Sequence, residues 1–186
     1  MRYDDEHLQR ARAAWRWRGQ ERPPFAKETG PGQESVWDYP RPPRLETEPR
    51  LVRVEVAGMV LAESRRALRV LETASAPAVY LPADDAAMEF LVPTPSRGGI
   101  CEWKGPWHFW RLEGGGRTIP QVGWSYPEPF PGFEAMAGYL SFYPAKVDGC
   151  FLGDEKVRPQ PGGFYGGWVT RDVVGPMKGE PGTGGW

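Results

Sequence analysis

Val52-Arg53-Val54-Glu55-Val56-Ala57-Gly58-Met59-Val60-Leu61-Ala62 opens the regular part of the chain. Three valines alternate with two charged residues, and side chains on a strand point to opposite faces in turn. The stretch predicts a half-buried strand, a turn at Ala57-Gly58 and a returning strand. Working outward, residues 67–72 and 78–81 read as two more short strands, the second ended by Pro82. Residues 100–104, 107–112, 117–121, 122–126 and 146–152 read the same way, with Gly114-Gly115-Gly116 as a turn. Two short helices are expected among them. One covers residues 84–91, with acids in its first turn where the helix dipole favours them. The other covers residues 133–140, where Phe133, Met136, Ala137 and Leu140 fall on one face. Short strands separated by tight turns predict a mainly β, antiparallel single domain.

The flanks are less regular. Residues 1–18 are predicted as an amphipathic helix carrying Leu8, Ala11 and Trp15, and residues 19–33 as a linker. Residues 34–43 hold Pro40, Pro42 and Pro43, which enforce extended backbone, so Trp37 and Tyr39 are expected to anchor a surface strap. Residues 153–186 are glycine-rich with no clear period and read as an irregular wrap pinned by Phe164, Tyr165, Trp168 and Trp186. The expected division is therefore 1–33 (helix and linker), 34–152 (core with its strap) and 153–186 (C-terminal extension packed on the core).

Composition narrows the function classes. The chain has 186 residues, with Gly 24 and Pro 21, about a quarter of the whole, yet 40% hydrophobic and 13% aromatic residues. That is a folded core with much irregular backbone, and no disordered chain carries so many rings. Lys+Arg 23 against Asp+Glu 24 gives a net charge of -1, without the basic footprint of a nucleic-acid binder. No window is apolar enough for a membrane span, and the charged start, Met1 to Glu6, has no apolar run behind it, so no secretory leader is expected. With only Cys101 and Cys150, a cytoplasmic location with free thiols is the expectation.

Chemistry-bearing motifs are few. Four Cys and His residues at wide spacing do not make a zinc site, so no metal and no cofactor are expected. Ser125 lacks the second glycine of a nucleophile elbow. The run Gly162-Gly163-Phe164-Tyr165-Gly166-Gly167 fits no phosphate loop, and its glycines are expected to supply positive φ and bare backbone for rings to lie on. Read as a strand, Cys101-Glu102-Trp103-Lys104 puts Glu102 and Lys104 on one face. Turned inward, Lys104 is an anion anchor or acid/base group held charged by Glu102; turned outward, the two form a weak surface pair. Arg66 marks a second positive spot. Glu72, at the end of the apolar run Val70-Leu71, is the acid expected to be partly buried beside an arginine. Tyr80, Trp103, Trp124, Tyr126 and Tyr143 belong to a set of amphipathic rings that suits either a pocket wall or a wetted core.

Taken in order, Arg53-Val54, Glu63-Ser64-Arg65-Arg66-Ala67-Leu68, Leu71-Glu72-Thr73, Tyr80-Leu81-Pro82, Cys101-Glu102-Trp103-Lys104-Gly105, Trp124-Ser125-Tyr126-Pro127 and Phe142-Tyr143 resemble the bacterial domain-of-unknown-function family 427, over about residues 50–150. The resemblance implies a compact β-tent-like fold similar to that of zinc-binding exchange-factor-like and methionine sulfoxide reductase B proteins. The paired C-x-x-C ligands of those relatives are missing here. The nucleotidyltransferase label sometimes given to the family expects a D-x-D metal pair, which this chain also lacks. Where the family usually carries Pro and Tyr between Cys and Lys, Glu102 and Trp103 stand.

Three readings follow. The first is a binding domain for a small, partly apolar or anionic molecule, with Tyr80, Trp103, Trp124, Tyr126 and Tyr143 as wall, Lys104 and Arg66 as anchors, and Glu72 or Glu102 orienting them. The second is a metal-independent enzyme using Lys104 with a carboxylate, or Cys101, on a small metabolite. The third is a protein-interaction module whose N-terminal helix, with Trp15 and Trp17, and Trp37-containing strap dock on another chain or, by self-association, on a second copy. Nucleic-acid and membrane partners are not expected.

Overall fold

The valine-rich stretch pairs as its alternation requires. In a computed structural model, which describes residues 5–186 apart from the side chains at 5, 96 and 97, Val52, Val54 and Val56 are fully buried while Arg53 and Glu55 are half-exposed. The chain begins with helix α1 (Asp5–Ala13), then runs through β1 (Glu34–Ser35), β2 (Arg44–Thr47), β3 (Val52–Val56), β4 (Met59–Ser64), β5 (Leu68–Leu71) and β6 (Ala78–Tyr80). Next come β7 (Leu91–Cys101), β8 (Gly105–Gly114), β9 (Arg117–Ser125), β10 (Leu140–Phe142) and β11 (Gly149–Leu152). The two-residue strands β12 (Glu155–Lys156), β13 (Arg158–Pro159), β14 (Trp168–Val169) and β15 (Val173–Val174) close the list.

Three sheets position the site. One has the order β10-β9-β8-β7, the second β12-β11-β3-β4, the third β2-β5-β6, and all their pairings are antiparallel. Leu81 and Leu140 exchange both backbone hydrogen bonds at 2.8 Å, stitching the end of β6 to β10. Beneath the sheets lies the largest apolar cluster, including Val54, Leu61, Leu81, Leu112, Val122, Phe142 and Trp168. A second cluster joins Trp17, Trp37, Tyr39, Leu71 and Val173, so the strap is anchored by the two rings expected to hold it. β1 of that strap pairs in parallel with β15, fastening the strap to the C-terminal segment.

Several expectations need correction. Residues 84–91 form two single 3-10 turns, Ala83–Asp85 and Met88–Phe90, and residues 133–140 hold one, Glu134–Met136. A one-turn apolar spacing satisfies both a helix and an isolated turn, and neither segment has the length to pay a helix's nucleation cost. α1 ends at Ala13; the first four residues of the expected helix lie outside the described residues. The last core strand starts at Gly149, and the wrap contains four short strands. The most consequential correction concerns residues 100–104. β7 stops at Cys101, which pairs with Gly105, so Glu102, Trp103 and Lys104 form a three-residue hairpin loop. Gly105 has φ 100°, the left-handed backbone that closes such loops and that a side chain disfavours.

Candidate functional site

The ends of the strands surround a hollow of about 470 Å³. That lies within the roughly 300–1,000 Å³ of small-molecule sites. Val70 and Ala78 are cross-strand partners on β5 and β6, and both face it, as do the next residues on the same faces, Glu72 and Tyr80. Trp124 on β9 and Tyr126 two residues on repeat the pattern from the neighbouring sheet. The rings interlock. Tyr80 and Trp124 meet edge to face at 6.0 Å, with the indole N–H donating to the Tyr80 hydroxyl at 3.1 Å, and Trp124 lies 4.6 Å from Tyr143. Gly166 provides bare backbone against the Trp124 ring, where a Cβ would overlap it; Gly98 and Gly99 do the same beneath Trp107.

The floor is ionic. The Glu72 carboxylate accepts from Lys104 Nζ at 3.1 Å, Lys178 Nζ at 3.4 Å and Arg41 Nη2 at 3.4 Å. These side chains are 14%, 10%, 3% and 0% exposed respectively, so the charges interact with little screening by water. Burial disfavours ionised Glu72, but Lys104, Lys178 and Arg41 outweigh it and hold the carboxyl well below the usual carboxylate range. Burial also works against the Lys104 ammonium, yet neighbours including Cys101 and Glu72 keep its pKa well above the ordinary value. Lys178 goes the other way. Burial dominates, Arg41 and Lys104 repel it, and Glu72 compensates only in part, so its pKa is pushed down. Its ammonium lies 4.5 Å from the centre of the Trp15 ring and 4.8 Å from that of Tyr165, where the π faces take part of the load.

Local structure explains how distant segments deliver these groups. Lys178 donates its backbone N–H to Ala74 at 2.8 Å, and its carbonyl accepts from the Gln160 amide at 2.8 Å. Arg41 also donates to the Thr73 carbonyl at 2.8 Å and the Trp17 carbonyl at 2.9 Å. Trp15 roofs this end, its ring 4.1 Å from the Arg41 guanidinium and its N–H on the Glu102 carboxylate at 2.5 Å. The tryptophans of the N-terminal segment are thus spent on this chain's own domain.

Of the nine residues singled out from sequence, seven border the hollow: Glu72, Tyr80, Glu102, Lys104, Trp124, Tyr126 and Tyr143. Two do not. Arg66 pairs with Asp85 on the surface, its side chain 60% exposed. Trp103, in the middle of the loop, is buried in the same ring cluster as Tyr80 and Trp124 without bordering the hollow, with the Arg12 guanidinium 5.4 Å from its ring centre. Lys104 faces inward, but Glu72 pairs with it, while Glu102 holds Trp15; the loop geometry separates the two residues that a strand would have placed side by side. Glu72 is partly buried as expected, with two lysines and Arg41 as partners in place of Arg65 or Arg66.

Sequence reasoning passed over Lys178 and Arg41. Both carried a readable signal. Lys178 ends the apolar run Val173 to Met177, the same pattern that marked Glu72. Arg41 continues the period-two series of Trp37 and Tyr39, so it had to face inward with them.

Lys104 and Lys178 border the floor with Glu72 and Glu102, and Arg41, fully buried behind the hollow, adds a third cation to Glu72. The Tyr126 hydroxyl, on a ring 5% exposed, has no hydrogen-bond partner among the described residues. Burial raises its pKa well above the ordinary phenol value, so it stays a donor. Burial likewise raises the Cys101 thiol, which keeps it protonated and a poor nucleophile at neutral pH. Among the described residues no group of three or more His, Cys, Asp or Glu is placed to hold a metal ion, and no helix is long and apolar enough to cross a membrane.

The sequence profile of the family described as a domain of unknown function, DUF427, matches residues 44–153. No curated protein matches the chain. Trp15, Gln160, Tyr165 and Lys178 border the hollow from outside the matched span, so it is a joint construction of the family core and both flanks.

Proposed function

We propose, from the premise that this chain belongs to the DUF427 family, that its aromatic hollow binds a small, partly apolar anion. The observation that carries this is the over-supply of buried cations on one carboxylate: Lys104, Lys178 and Arg41 converge on Glu72 at 3.1 to 3.4 Å, and the two lysines border a ring-lined space that an anion could enter. Buried like charges repel strongly, and an incoming anion relieves that repulsion in a setting where little water competes. The rings supply the apolar share of the binding energy, about 25 cal/mol for each Å² of apolar surface covered. In this reading the core of residues 34–152 carries the wall, and the segments 1–33 and 153–186 supply roof and floor to the same site. A cytoplasmic setting suits a protein whose two cysteines, Cys101 and Cys150, form no disulfide.

The test is a titration of tryptophan fluorescence with phenylacetate against its uncharged analogue phenylacetamide. Saturable quenching by the acid, at a Kd of about 1 mM or tighter, with at least tenfold weaker response to the amide, supports the reading. Lys104→Met should abolish that preference. Equal response to acid and amide, or no saturation by either, overturns it.

Binding is favoured over acid/base catalysis on a specific ground. The Lys104–Glu72 pair stays fully ionised on both sides, so neither partner is poised to exchange a proton near neutral pH.

A further inference from the structure

The floor is not the only cation bordering the hollow. Lys146, just past Tyr143, also faces it, half-buried. Its ammonium donates to the Gln121 carbonyl at 2.8 Å and to that of Pro120 at 3.5 Å, and lies 4.7 Å from the centre of the Tyr143 ring. No carboxylate among the described residues lies within ion-pair distance of it. Gln121 adopts φ 50°, a left-handed conformation unusual for a residue with a side chain, next to an irregularity in the β8–β9 ladder. Local strain of that kind persists only where surrounding structure holds it, and here it aims a carbonyl at the lysine. Burial lowers the Lys146 pKa, the mark of a charge without a counter-charge.

Lys146 is separated from the floor by the ring ladder. From Tyr80, beside the Glu72 cluster, the contacts run to Trp124 at 6.0 Å, to Tyr143 at 4.6 Å and then to Lys146. The inner pole offers Lys104, Lys178 and the unpartnered Tyr126 hydroxyl; the outer pole offers one unpaired ammonium; a continuous aromatic wall connects them. We infer that the site takes a two-headed ligand: a flat aromatic body carrying an anionic group at each end, the inner one on the Glu72-centred cations and the outer one on Lys146. This rests on the proposed anion-binding function and specifies its ligand class.

Isothermal titration calorimetry on the full chain tests it with two matched pairs. The probes are benzoate and terephthalate, and biphenyl carboxylate and the para-linked biphenyl dicarboxylate. At least one diacid should bind about tenfold more tightly than its monoacid, the gain expected of one added charge-assisted contact. Lys146→Met should erase that advantage, and Lys146→Arg should restore most of it, with melting curves reporting that both variants are folded. If monoacids saturate the protein and neither diacid improves on them, the two-headed assignment is wrong while the anion site stands. If Lys146→Met leaves the diacid advantage intact, the outer pole lies elsewhere and the inference is again overturned. If no acid binds, both proposals fall together.

Discussion

Replacing Glu72 by Gln is the most informative single perturbation of this molecule. The change is nearly isosteric, so it opens no cavity, but it leaves Lys104, Lys178 and Arg41 facing one another without their shared counter-charge. Removing one partner of a buried ion pair costs about 3–5 kcal/mol, because the remaining charge stays desolvated. Domains of this kind hold roughly 5–15 kcal/mol in all, so the loss is a large fraction of the total. At about 2–4 °C per kcal/mol for a chain of this length, the midpoint of thermal unfolding should fall by about 6–20 °C at pH 7. The pH dependence gives a second handle. The Glu72 carboxyl titrates lower in the folded state than its ordinary value of 4.5. Its stabilisation is therefore complete above the unfolded value and is lost as pH falls from there toward the folded one. The gap between wild type and Glu72→Gln should accordingly be widest near neutrality and narrow progressively below about pH 4. Circular dichroism melts at a series of pH values measure both quantities. A variant within about 2 °C of wild type at pH 7, or a gap that does not close in acid, would mean that the carboxylate does not hold the cluster together.

Lys178→Met should behave in the opposite sense. The fold disfavours this ammonium, so the variant should melt at the wild-type temperature or a few degrees above it, and a loss beyond about 2 kcal/mol would contradict the charge accounting. Between the depressed Lys178 pKa and its ordinary value of 10.5, the unfolded chain binds more protons, so this group's contribution to stability rises with pH there and the rise should vanish in the variant. Gly162→Ala puts a Cβ into the Gly179 backbone at φ 86° and should cost about 1–3 kcal/mol, with tryptic cleavage at Arg171 and Lys178 accelerated as the C-terminal segment loosens. Iodoacetamide should modify the half-buried Cys101 at least about tenfold more slowly than a free thiol at pH 8, read by mass spectrometry; a rate like that of free cysteine would show that its surroundings do not hold the thiol protonated.

Much of the architecture could be read from pattern, and the failures have physical causes. Alternation across residues 52–56 is unambiguous because one face is buried and the other wet, so β3 and its return strand follow from it, although the bulge between Val54 and Glu55, which leaves Val60 exposed and Leu61 buried, does not. Residues 84–91 and 133–140 were harder, since an apolar pair three apart fits a lone 3-10 turn as well as a helix. Residues 100–104 misled because alternation continued past the end of the ladder; the following Gly105-Pro106 was the stop signal, and a glycine at φ 100° is what the loop needed. Seven of the nine candidate side chains border the hollow because they sit at strand ends, which the turn residues mark. The ionic cluster itself joins Glu72 to Lys178 across 106 positions and to Arg41 across 31. No local window contains such a pairing, although the lone charge closing an apolar run announced each half.

The seam where β1 of the strap meets β15 of the tail has a consequence for how this site can diversify. The strap and the tail are clasped to each other, and the basin's roof and part of its charge come from sequence outside the span that the family profile matches, at positions such as Trp15 and Lys178. Relatives that keep the scaffold but carry other termini would present an opening of different depth and sign, so tail composition is the place to look for a change of guest.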